Sequence, residues 1–169
     1  MSDAGVALVE RVRATFEPDP AFVRAQWRGF RWWPGLFAQR IVADEPERRG
    51  GFEVHRVSAE CVLVSGVSGG ATTFAVLAET NMREAGSSAV RWNSETGEVS
   101  LHASVYLTPG QEDAAGTRLL HAALLQLGDA ARLREPLARA LGGTPVVDSP
   151  EGGEPRRDPD PLLEAWQAY

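Results

Sequence analysis

Few side chains in this sequence have the type and spacing that catalysis or metal binding requires. The three histidines are His55, His102 and His121, and no two stand at the i, i+3 or i, i+4 spacing that sets two imidazoles on one helix face. With a single cysteine, Cys61, a zinc site would have to draw on distant carboxylates, so neither a metal nor another cofactor is expected. Cys61 lies in the apolar stretch VSAECVLVSGV, which suits a buried, inert thiol, because a nucleophilic thiolate needs an electropositive and accessible setting. All 17 basic residues are arginines. Schiff-base, P-loop and kinase-type lysines are therefore excluded at once. There is no G-x-S-x-G elbow. The glycine-rich SGVSGG at 65–70 precedes a stretch that reads as strand, so it suits a turn better than a phosphate cradle.

Two groups of residues remain. Glu60, Glu79 and Glu84 fall in regions that read as strand; converging on one sheet face they would raise a pKa and supply an acid and a base. The triplet Glu79, Thr80 and Asn81 interrupts an apolar run with polar groups, so a pocket lined by Glu79, Asn81 and His102 is the site that an enzymatic or small-molecule-binding reading would use. The second group is aromatic. Trp27, Phe30, Trp32, Trp33 and Phe37, interleaved with Arg24, Arg28, Arg31 and Arg40, combine the residue types that dominate protein-binding hot spots. Trp27, Trp32, Trp33, Phe37 and Arg31 are the candidate partner-binding residues. The alternatives are a core plug at one end of a sheet, or a stacking platform for single-stranded bases.

The elements that must position these groups follow from periodicity. Val6, Leu8, Val9, Val12 and Phe16 recur at helical spacing, with Ser2 or Asp3 as N-cap and Pro18 and Pro20 beyond the end. LFAQRIVADE suits a short strand, and GFEVHRVSAECVLVSGV a largely buried one. TTFAVLAETNMR, with Phe74, Val76 and Ala78 on one face, reads as a second strand of the central group. SSAVRW and VSLHASVYL form the clearest hairpin: Val99, Leu101, Ala103, Val105 and Leu107 alternate with Ser100, His102, Ser104 and Tyr106, as in an antiparallel sheet wet on one side. Leu119, Leu120, Ala123, Leu124 and Leu127 then mark a helix ending at Gly128. Leu133, Leu137 and Leu141 mark a second or kinked one, with Pro136 inside and Gly142 and Gly143 as stop. The expected architecture is α+β: an antiparallel sheet of about four to five strands flanked by an N-terminal helix and C-terminal helices, in one domain over residues 1–143.

The net charge of −6 speaks against a general nucleic-acid or membrane-surface binder. The charge is uneven, however. Six acids against Arg156 and Arg157 lie within residues 148–169, so the body is close to neutral. That tail, rich in Pro, Gly and acids, reads as a flexible linker over 144–160, with PLLEAWQAY as a short helix able to dock back. No apolar run reaches 18 residues and the charged N-terminus lacks a signal-peptide core, so a cytoplasmic protein is expected.

The segment FAVLAETNMREAGSSAVRWNSETGEVSLHASVYLTPG followed by LLHAALLQLGDAARL resembles the type III secretion chaperone and YbjN-like superfamily in its order of elements, over roughly residues 52–141. The resemblance implies an α+β sheet with helices on one face, a homodimer, and binding of another protein rather than catalysis. The Trp-rich segment and the acidic tail depart from a secretion chaperone. Exclusive use of arginine fits a GC-rich bacterial genome. The leading expectation is a non-enzymatic, chaperone-like or adaptor-like protein-binding domain. The rivals are a domain with the polar pocket named above and a regulatory or toxin-neutralising partner that works through its acidic tail.

Overall fold

The computed structural model describes residues 3–15, 20–83, 88–107, 110–150, 153, 154 and 156. Expectations placed on Ser2, Phe16, Glu84 and the final PLLEAWQAY lie outside these residues.

Helix α1 spans Ala4–Ala14 and starts where expected, because the Asp3 carboxylate accepts from the backbone N–H of Gly5 and Val6 at 2.9 and 3.2 Å. Its buried face is Leu8, Val9 and Val12. The chain then builds β1 (Val23–Gln26), β2 (Gly29–Trp32), β3 (Gln39–Ala43), β4 (Glu47–Arg49) and β5 (Phe52–Ser65). Helix α2 (Ala71–Arg83), β6 (Ala89–Asn93), β7 (Glu98–Leu107), helix α3 (Glu112–Leu141) and β8 (Thr144–Pro145) follow. All strand pairs are antiparallel, in the order β1-β2-β3-β5-β7-β6, with β4 and β8 each paired to β5.

The α+β class holds, but the sheet has eight strands where four to five were expected. The additional ones, β1, β2, β4 and β8, span only two to four residues each, too few to print an alternating pattern. TTFAVLAETNMR is not a strand. It forms α2, burying Thr73, Leu77 and Thr80 at helical spacing, and Phe74, whose strand-like partnership with Val76 suggested otherwise, stays exposed. The two leucine-rich C-terminal helices are one continuous helix of 30 residues. Gly128 is tolerated inside it, and Pro136 sits on its solvent side, where water can bond the carbonyl that proline leaves free. Gly142 closes α3 in the left-handed conformation at φ 67° that its missing Cβ permits.

The helices pack on one face of the sheet over two apolar clusters. One joins α1, the first half of α3 and Phe30, Trp32, Ile41, Val57 and Ala59; the other joins Leu77, the second half of α3 and Cys61, Leu63, Val90, Val99 and Leu101. A polar chain crosses the first cluster. The Trp32 indole donates to Gln39 Oε1 at 2.8 Å, and the Gln39 amide donates to Gln126 Oε1 and to the Ala123 carbonyl. Gln126 in turn donates to the Ala59 carbonyl and to Ser88 Oγ. Both glutamines are fully buried and fully bonded, which ties α3 to the sheet in one register.

The stretch expected to begin a linker instead runs along the body. Thr144 and Pro145 pair with Ser65 and Val64, the Val146 N–H donates to the Leu63 carbonyl, and the Asp148 N–H donates to the Leu36 carbonyl, the last two at 2.8 Å.

Candidate functional site on the open face of the sheet

Since Phe30, Ile41, Ala59 and Leu101 point toward the helices, the residues that alternate with them point the other way. Strand register lines these up. Arg24 pairs with Arg31, Arg31 with Arg40, Arg40 with Glu60, and Glu60 with His102, so one row crosses β1, β2, β3, β5 and β7. Neighbouring members of such a row are about 5 Å apart, and like charges directly opposite each other are destabilising. Three adjacent arginines therefore make a local cationic comb on a chain whose net charge is −6.

Each member has a different environment. The Arg31 guanidinium is ion-paired to Asp148 and stacks over the Trp33 ring at 5.4 Å. The second Asp148 oxygen accepts from the Trp33 indole N–H at 3.3 Å. Arg40 is exposed, and its side chain makes no hydrogen bond or ion pair with any described residue. Glu60 is half-buried and accepts from Ser100 Oγ at 3.1 Å. Burial first, and then the charge of Arg91, hold the His102 pKa below its ordinary value, so this imidazole is neutral at pH 7. Trp27, Arg31, Arg40, Glu60, Glu98 and Asp148 are among the residues that line an open groove of about 730 Å³.

Trp27 reaches the groove through a turn that is held in place. It occupies the turn between β1 and β2 beside Arg28, whose backbone adopts φ 56°. The Arg28 side chain donates to the Ala43 and Asp44 carbonyls and, at 2.6 Å, to Asp3. The same guanidinium lies 5.6 Å from the Trp27 ring, which remains 73% exposed. An indole this exposed on an anchored turn buries little of its surface in the fold, where its ring contact is the Arg28 guanidinium.

The expected site residues divide accordingly. Trp32 and Trp33 are buried and present no surface to a partner, Trp32 within the core and Trp33 beneath Arg31 and Asp148. Phe37 is half-buried between the two core clusters. Trp27 and Arg31 do share one groove. The pocket of Glu79, Asn81 and His102 does not form. Glu79 pairs with Arg83 along α2 at 2.8 Å, and the Asn81 amide bonds the Val90 N–H and carbonyl, while His102 faces away on the other side of the sheet. Arg40, one of the arginines interleaved with the aromatic cluster, and Asp148, one of the acids of the tail, are not among the expected site residues. Alternation in the β3 segment marks Arg40 as outward, but its alignment with Arg31 and Glu60 depends on strand pairing, which periodicity does not reveal.

Among the described residues no group of three or more His, Cys, Asp or Glu is placed to hold a metal ion, and no helix is long and apolar enough to cross a membrane. No family model matches this chain, and neither a curated protein nor a solved structure matches it. What the face offers chemically is guanidinium and carboxylate groups beside an exposed indole.

Proposed function

We propose that this is a non-enzymatic protein-binding domain, chaperone-like or adaptor-like, which engages its partner through the open face of its sheet. The observation that carries this reading is Trp27, 73% exposed yet fixed at the rim of the groove beside Arg31 and Arg40. Trp and Arg are the residues on which protein interfaces most often concentrate their energy, and an ordered anchor loses little entropy on binding. The resemblance to the secretion-chaperone and YbjN-like superfamily adds a cytoplasmic setting and a homodimer to the same proposal. Light scattering at several concentrations measures that dimer directly; a monomer throughout removes it.

Capture from the native host, followed by titration of the purified partner, tests the binding face. Trp27→Ala is expected to weaken the complex by about tenfold or more, while Met82→Asp, on the exposed side of α2, leaves it unchanged. The reverse pattern places the partner on the helical side and overturns the proposal. A second reading is favoured by the concavity: about 730 Å³ falls within the usual range for small-molecule sites. Thermal shift against a panel of small charged molecules tests it: saturable stabilisation supports this reading, and no stabilisation removes it.

A further inference from the structure

We infer that His55 is a proton switch on the Trp27 turn: as an imidazolium it bridges Asp3 and Glu53 and clamps Asp3 against Arg28, and on losing a proton it loosens that clamp. The consequence for partner capture, firmer on the acid side of neutrality, rests on the binding-face reading above. His55 is buried, and each ring nitrogen faces a carboxylate: Nε2 lies 2.9 Å from Glu53 Oε1 and Nδ1 lies 3.3 Å from Asp3 Oδ1. A neutral imidazole carries one N–H, so it has a donor for only one of two acceptors. Nδ1 is itself buried and, among the described residues, without a hydrogen-bond partner. Only the imidazolium offers a proton to both carboxylates, and histidine is the side chain that gains and loses this proton near neutrality.

The surroundings of the ring carry the change outward. The charged groups on its side are Asp3 ahead of α1, Glu53 on β5 with Arg48 as its register partner on β4, and Arg28, which reaches Asp3 from the turn; β7 sets the buried Leu107 opposite His55. The Asp3 oxygen that faces Nδ1 is the one that accepts from the Gly5 and Val6 N–H groups, and its other oxygen meets Arg28 at 2.6 Å. Arg28 passes from there to the Ala43 and Asp44 carbonyls and lies over the Trp27 ring. Loss of the proton sets a lone pair opposite one carboxylate and takes the charge out of the contact with the other, and a charge-assisted bond is roughly twice as strong as a neutral one. Glu53 is exposed and turns into water at little cost. Asp3, tied to the cap and to Arg28, passes the change to the turn.

The test is an NMR titration of the isotope-labelled full chain from about pH 5.5 to 8.5, above the ordinary carboxylate range. The His55 ring carbons, the Gly5 amide and the Trp27 indole N–H are expected to move together with one midpoint. His55→Gln should abolish the movement at Gly5 and Trp27. Glu53→Gln, at an exposed position that the fold tolerates, should carry the shared midpoint to lower pH, because a carboxylate that favours the imidazolium is gone. A His55 ring that does not titrate in this range overturns the inference, as does one that titrates while Gly5 and Trp27 stand still. Movement at Trp27 that persists in His55→Gln assigns the switch to another group and overturns it too. Should His55→Gln fail to fold, Glu53→Gln decides, and an unmoved midpoint overturns the inference. No partner enters these measurements, so a silent His55 leaves the binding face standing, and partner binding that survives Trp27→Ala removes the face without touching the switch.

Discussion

Asp3 shows how much one side chain can do in this protein. It caps α1, pairs with Arg28 at 2.6 Å and lies 3.3 Å from His55 Nδ1, so it joins the first helix, the Trp27 turn and the start of β5. Burial pushes its carboxyl pKa up, but the Arg28 hydrogen bond, the Val6 N–H and the positive charges beside it outweigh burial and hold it below the usual range. A carboxyl depressed in the folded state adds stability above its unfolded pKa, about 4, and loses that contribution as the pH falls through the lower folded value. Asn is as good a cap as Asp, so Asp3→Asn isolates the charge. Urea unfolding is expected to show the wild type more stable than Asp3→Asn at pH 6, with the gap closing below about pH 4. A gap that does not change with pH would mean that the ion pair with Arg28 adds nothing. Cys61 is the opposite case. It is fully buried, and burial pushes its thiol pKa far up, which matches the inert thiol expected from its apolar neighbours.

The informative element is α2, because it both misled the sequence reading and protects the sheet. Phe74, Val76 and Ala78 imitate a strand face, yet the burial of Thr73, Leu77 and Thr80 follows a helix, and its packing partners are β6, the next element, and the second half of α3, more than 40 residues on. By contrast β5, the β6–β7 hairpin and the buried stripe of α3 were legible, since each is long enough to repeat its own period. The Trp-rich segment was not: β1 and β2 have four residues each, and their order depends on Gly29, where any side chain would run into the Ile41 carbonyl of β3. The candidate site was half legible for the same reason. Trp27 and Arg31 carry their signal in residue type, whereas the alignment of Arg40 with Arg31 and the pairing of Arg31 with Asp148 appear only once the strands are in register. From α2, Asn81 bonds both the N–H and the carbonyl of Val90 on edge strand β6, and so occupies groups that would otherwise pair with another chain. Asn81→Ala is expected to cost about 1–3 kcal/mol in urea unfolding and to raise concentration-dependent light scattering. Unchanged stability and scattering would show that α2 guards this edge without the amide.

At the scale of the molecule, the sign of the net charge describes the binding face poorly. The chain is acidic by six charges, yet its open face presents arginine on three neighbouring strands. Salt is therefore expected to weaken the proposed complex, because exposed charges are screened over about 10 Å. On the other side, α3 lends Ala115, Leu119, Ala123, Leu124 and Leu127 to one cluster and Ala130, Leu133, Leu137 and Ala138 to the other. At 1.5 Å per residue the helix runs about 45 Å, and neither cluster is closed without it. The two halves of the core therefore share a wall and should melt together, giving one calorimetric transition whose van't Hoff and calorimetric enthalpies agree. Two resolved transitions would mean that the clusters are separate cooperative units. Sharing one wall also has a cost for survival in a cell: a protease that cuts α3 once dismantles both halves of the core, so the lifetime of the whole protein is set by how rarely that single rod frays.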